Sequence, residues 1–269
     1  MANYEQLLKE AFHFGTDYRR WGPLFVFQTV LLMIAIVWFL PSFVMLLSAT
    51  ETSAVGGILN ALLGLLGLGI VWGLGTLWFS LALTKQAAGT SSWGTSGRFA
   101  VRKIPWAILL FILVMVVGTA ASLVSAIFIL VPLQFAASIV LSVLVGLAFF
   151  VAIPSLVVRN TTGIAAFKES ISLFRKHKLS VLVGWALITF IGNLITGIVF
   201  LIDATVLWQL IAPVFLSLTD PAVMASIFSS VLTNIPLLAV LGIITMIGFS
   251  VATAFSLAAT TFFYKQLKK

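Results

Sequence analysis

Residues 159–178 read RNTTGIAAFKESISLFRKHK, five basic residues and one acid in a short amphipathic segment. On either side lie Phe135–Val158 and Leu179–Ile202, two stretches without a charged residue. Apolar runs of this length cross a bilayer, and Lys and Arg beside them stay on the cytoplasmic side during insertion. The same arrangement recurs along the chain. All fifteen Lys and Arg residues fall into four clusters: Lys9–Arg20, Lys85–Lys103, Arg159–Lys178 and Lys265–Lys269. Neighbouring clusters are separated by pairs of apolar stretches, and the turns within each pair carry only Glu51, Asp203 and Asp220.

Counting outward from residues 159–178 predicts six membrane-spanning helices: Leu24–Leu47, Ala54–Thr84, Ile104–Val131, Phe135–Val158, Leu179–Ile202 and Ile235–Phe263. Each has the roughly 20 residues needed to cross about 30 Å of hydrocarbon at about 1.5 Å per residue. With 61% hydrophobic and 8% charged residues, an ordinary soluble domain is excluded. The fold class is therefore all-α, a polytopic membrane bundle, because a helix satisfies its own backbone groups in lipid. A barrel needs short alternating strands, which this chain lacks. Both termini are expected in the cytoplasm, in a multi-pass protein of the cell membrane. The first apolar stretch is too long for a cleaved signal core and reads as a retained span.

The net charge of +8 divides unequally: the inner side holds fifteen bases and four acids, the outer side three acids and no base. The basic excess reads as a topology signal and an attraction to anionic lipid headgroups. Nucleic acid is not an expected partner, since no recognition module accompanies the charge. With no cysteine, disulfides, thiolate metal sites and Cys nucleophiles are excluded.

The basic clusters also carry helical periodicity. Tyr4, Leu7, Leu8, Ala11, Gly15 and Tyr18 form one apolar stripe, and Ile164, Phe167, Ile171 and Phe174 another. Such segments can lie at headgroup level, with basic side chains laying their stems on apolar surface. The cluster Gln86–Lys103 holds Trp93 and Phe99 among glycines, a weaker helix pattern. The order of amphipathic segment, span, turn and span recurs three times, so the single domain 1–269 divides into hairpin units of about 1–84, 85–158 and 159–269. The third unit differs: residues 204–218, interrupted by Pro213, and a short helix opened by Asp220 and Pro221 read as an outer interfacial or re-entrant cap. Pro236 is expected to mark a break or kink, because that short helix joined to the last span would exceed about 60 Å.

Within the second span, Gly57, Ala61, Gly69 and Gly73 are expected to pack against neighbouring helices, since small residues let backbones approach in lipid. Asn60 and Asn193 are intramembrane polar residues whose ordinary role is interhelical hydrogen bonding. The candidates for anionic lipid headgroups are Arg102, Lys103, Lys168, Arg175, Lys176 and Lys178. Catalytic motifs are lacking: His13 and His177 have no paired carboxylates or metal-ligand spacing, and no cofactor is expected. The sequon at Asn160 falls on the inner side and is not expected to be glycosylated.

The run Pro154-Ser155-Leu156-Val157-Val158, then Gly163 and Ala166-Phe167-Lys168-Glu169-Ser170, resembles a group of six-helix bacterial and archaeal membrane proteins. The group includes YciC-like inner-membrane proteins and the membrane domain attached to some glycerophosphodiester phosphodiesterases. Arg159 stands near a position usually acidic in that group. The resemblance implies an integral membrane module without an established activity of its own. The leading functional reading is accordingly non-catalytic: an accessory or structural subunit, or a lipid-interface module, of a larger membrane assembly or homo-oligomer. The alternative is a transporter or flippase-like path for a lipid or small apolar molecule.

Overall fold

Asn3 opens the first helix, its side chain accepting from the Gln6 backbone N–H. In the computed structural model, which describes residues 3–47, 51–89, 92–126, 131–215 and 233–268, the chain is all-α. The helices are α1 Tyr4–Thr16, α2 Tyr18–Leu47, α3 Glu51–Ala87, α4 Trp93–Ala126 and α5 Val131–Phe149. They continue as α6 Ala152–Val158, α7 Gly163–Lys176, α8 Lys178–Phe215 and α9 Ile235–Leu267. Among the described residues, six stretches are long and apolar enough to span: Tyr18–Trp38, Gly56–Ala87, Trp93–Ala126, Leu133–Val158, Lys178–Val206 and Pro236–Leu267. They answer one by one to the six predicted runs.

Helices α2 to α5 pack each on the next, and α9 is the hub, touching α1, α2, α3, α6 and α8. Burial is unequal along their length. In α3, Ile58, Leu62, Leu66, Ile70 and Leu74 are exposed, whereas Phe79, Leu81, Leu83 and Ala87 are buried. In α4, Ala100, Ala107 and Leu110 are buried, but Phe111, Met115 and Leu123 are exposed. The two buried clusters, centred on Phe255, Phe263 and Tyr264 and on Leu81, Ala100 and Leu156, both lie at the basic end. Length explains this. The 37 residues of α3 rise about 55 Å, well beyond a hydrocarbon core of about 30 Å. Apolar side chains inside lipid need no cover, whereas those beyond it must be buried from water.

Three local features depart from the expected pattern. First, the run Phe135–Val158 breaks between α5 and α6. Pro154 cannot donate to the carbonyl four residues earlier and its ring would clash there, so the helix restarts at Ala152. Second, the cluster at residues 86–103 makes no separate amphipathic helix, because Trp93 begins α4 and the helix continues straight into the span. The three hairpin units therefore do not share one design. Third, α8 runs unbroken through residues 204–215, where the start of a cap was expected; the proposed helix at Asp220 and Pro221 lies outside the described residues. The break expected at Pro236 is present: Asn234 is a turn residue, and Pro236 sits in the first turn of α9, where its missing N–H would have no partner anyway.

Candidate functional site at the basic face

Thr162 starts α7 by accepting from the Ala165 N–H. The turn before it uses Asn160 at φ 55°, a left-handed conformation that Asn tolerates better than most residues. This reversal lays α7 back on α6 and α4. The face it buries is Gly163, Ala166, Ser170 and Leu173, of which the first three are small and allow close approach. A Cβ on Gly163 would stand 2.5 Å from the Trp106 carbonyl oxygen. The stripe Ile164, Phe167, Ile171 and Phe174 is the adjacent, partly exposed face, with Phe167 stacked on Phe149.

One residue of α7 organises the surrounding polar groups. The Glu169 Oε2 accepts from Ser155 Oγ at 2.6 Å. Its Oε1 accepts from Arg159 Nη1 at 3.1 Å, Tyr264 OH at 3.0 Å and Lys268 Nζ at 2.5 Å. Burial alone would raise this carboxyl, but hydrogen bonds from Lys268, Ser155, Arg159 and Tyr264 outweigh it and hold its pKa down at about 2. The hub joins α6, α7 and the end of α9. It was not among the predicted site residues, although Glu169 is the single acid in its basic cluster.

Other basic residues are also used as internal ties. Lys265 donates to the Ala87 and Ala88 carbonyls, closing the end of α3 where carbonyls lack helical partners. Arg20 donates to Gln86 Oε1 at 3.0 Å and pairs with Asp17. Lys103, expected at lipid headgroups, is instead buried and donates to the Thr161 carbonyl at 2.8 Å. Its position on α4 points it at the α6–α7 turn. The remaining headgroup candidates, Arg102, Lys168, Arg175, Lys176 and Lys178, are exposed. Lys168, Ser172, Arg175 and Lys176 line a shallow recess of about 420 Å³.

Helix α1 is not simply laid on the headgroups. Leu7, Ala11, Phe14 and Gly15 are buried, and Tyr4 and Phe12 meet Phe263 and Phe255 of α9. A Cβ on Gly15 would come within 3.0–3.2 Å of Phe255, so glycine sets the approach of the two helices.

The glycine face of α3 is different from the expected one. Gly57 is buried and Ala61 half-buried, but Gly69 and Gly73 are exposed, with no atom near enough to meet an added Cβ. The packing glycines are Gly64, filled against by Trp38, and Gly75, filled against by Phe27. At about 100° per residue, Gly57, Gly64 and Gly75 fall within about 20° of one face, while Gly69 and Gly73 point some 120–180° away. Asn60 and Asn193 are not brought together: both are exposed, on α3 and α8, helices that each pack on α9 rather than along one another. The Asn60 carbonyl accepts from Trp38 Nε1, and Asn193 borders a surface recess beside Trp185 and Phe190.

Among the described residues, no group of three or more His, Asp or Glu side chains is placed to hold a metal ion. The fold and its spans define a multi-pass, all-α membrane protein. No protein-family model matches the chain, and neither does any curated protein or solved structure.

Proposed function

We propose that this protein is a non-catalytic integral membrane module, an accessory subunit or lipid-interface element of a larger assembly, with its basic end on the cytoplasmic side of the cell membrane. The observation that carries this reading is the folded cap at the basic end. There α1, α6 and α7 cover the ends of the spans, internal bases tie helices together, and a second set of bases remains exposed. Such a surface fits anionic headgroups or an acidic partner.

The polar hub favours a structural over a catalytic role. Ser155 faces a carboxylate, but one with a pKa near 2 is a weak base at neutral pH, and both its oxygens are engaged. The likeness to YciC-like proteins remains part of this proposal. It is supported by the fact that its two segments, residues 154–158 and 166–170, meet through the Ser155–Glu169 bond. The transporter or flippase-like reading draws on the sparse contact between α5 and α8, which leaves a groove open to lipid.

Extraction of the full chain in native lipid, followed by mass spectrometry of what accompanies it, tests the leading reading. A stoichiometric membrane-protein partner or homo-oligomer is the expected result. Turnover of a phospholipid or phosphodiester that is lost in Ser155→Ala would overturn it. Movement of a labelled lipid between leaflets would favour transport instead.

A further inference from the structure

Helix α5 packs along α4, and α8 along α9, but α5 and α8 meet only locally. One such place is Gly146, where the Trp185 indole lies 3.3 Å from a built Cβ. Beside it runs a groove of about 410 Å³, walled by α5 from Ile139 to Leu147, by Phe174, and by Leu179 and Leu182 of α8. That volume lies within the roughly 300–1,000 Å³ of small-molecule sites. Lys178 is its one charged lining residue and stands at the first position of α8.

We propose that this groove retains one acyl chain of an anionic phospholipid from the leaflet on the basic side, with the lipid phosphate at Lys178, Arg175 and Lys176. This deepens the lipid-interface reading and rests on it. Three observations define the occupant. The eight-residue step from Ile139 to Leu147 rises about 12 Å, close to the depth of one leaflet. The groove is apolar along its length and cationic at one end, matching a tail beneath a phosphate. Arg175 and Lys176 are exposed in the last turn of α7, separated from Lys178 only by His177. The acid on α7, Glu169, does not cancel this charge, since Arg159 and Lys268 already pair with it.

The test is native mass spectrometry of the full chain, taken from nanodiscs of mixed phosphatidylglycerol and phosphatidylcholine. The wild type should retain one phosphatidylglycerol in preference to phosphatidylcholine. Each charge removed from Arg175, Lys176 and Lys178 by alanine should weaken that retention about fivefold. Val143→Trp, which fills the groove, should abolish retention of either lipid. Lys178→Glu, at an exposed position, keeps the test decisive should the tryptophan variant fail to fold. Equal retention of the two lipids, or retention unchanged in the charge variants, would overturn the assignment. So would a wild-type dimer that Val143→Trp disperses, because the groove would then hold a second copy. Chemical turnover of the retained lipid would sink the non-catalytic reading while leaving the groove assignment standing.

Discussion

Glu169→Gln removes the negative charge on which Arg159, Lys268, Tyr264 and Ser155 converge. Arg159 and Lys268 are 56% and 39% exposed, so water recovers part of the loss, and the expected cost is about 2 kcal/mol. The sign with pH follows from the lowered carboxyl. Its contribution is complete above the ordinary value of 4.5 and is lost as pH falls toward about 2. Thermal unfolding should therefore separate wild type from Glu169→Gln by a constant margin near neutrality, shrinking below about pH 4.5. A margin independent of pH down to 2 would contradict the hub's electrostatic role. Gly163→Ala pushes a Cβ toward the Trp106 carbonyl and should destabilise by about 1–3 kcal/mol, whereas Gly73→Ala meets nothing and should change little. At this scale the sequence was least informative. Lys103 and Lys168 are the same residue type in similar basic clusters, yet one is buried on a carbonyl and the other faces out. Only the path of the α6–α7 turn separates them.

Helix α1 illustrates what periodicity conveys about an element and where it stops. The stripe containing Leu7 and Ala11 correctly marks the buried face, but a stripe does not say whether lipid or another helix covers it. Here α9 covers it, through Phe255 and Phe263. Gly15→Leu should separate the two helices and raise backbone hydrogen exchange across residues 4–16, while the α6–α7 pair keeps its protection. Unchanged exchange in α1 would show that it is held by the membrane surface rather than by α9. In α7 the visible stripe of large apolar residues packs only in part, with Phe167 on Phe149 and Phe174 against the core while Ile164 is exposed. The fully buried face is the neighbouring one, Gly163, Ala166, Ser170 and Leu173, where Gly163 lies too near the Trp106 carbonyl of α4 to admit a Cβ.

For the whole molecule, the absence of cysteine makes topology directly measurable. Single cysteines replacing Lys9 and Arg175, both exposed near the basic end, should react with an impermeant maleimide from the same side of a sealed vesicle. A cysteine replacing Thr233, just before α9 at the opposite end, should react only from the other side. Labelling of Lys9→Cys and Arg175→Cys from opposite sides would break the proposed insertion. The uneven distribution of burial is a property of this scale too. Lipid-facing segments such as Ile58–Leu74 need no protein cover, so tertiary specificity gathers where the helices outrun the bilayer.

The number of spans and their all-α character were legible in the chain by itself, because charge and hydropathy act locally and the bilayer imposes one length on every crossing. The alternation of bases and acids likewise assigns the two ends of the bundle opposite charge. Which base becomes an internal tie, which glycine meets a neighbour and which carboxylate collects four partners were decided only in the tertiary structure. Those outcomes depend on helix rotation and on contacts between residues as distant as Glu169 and Tyr264, which no local pattern encodes.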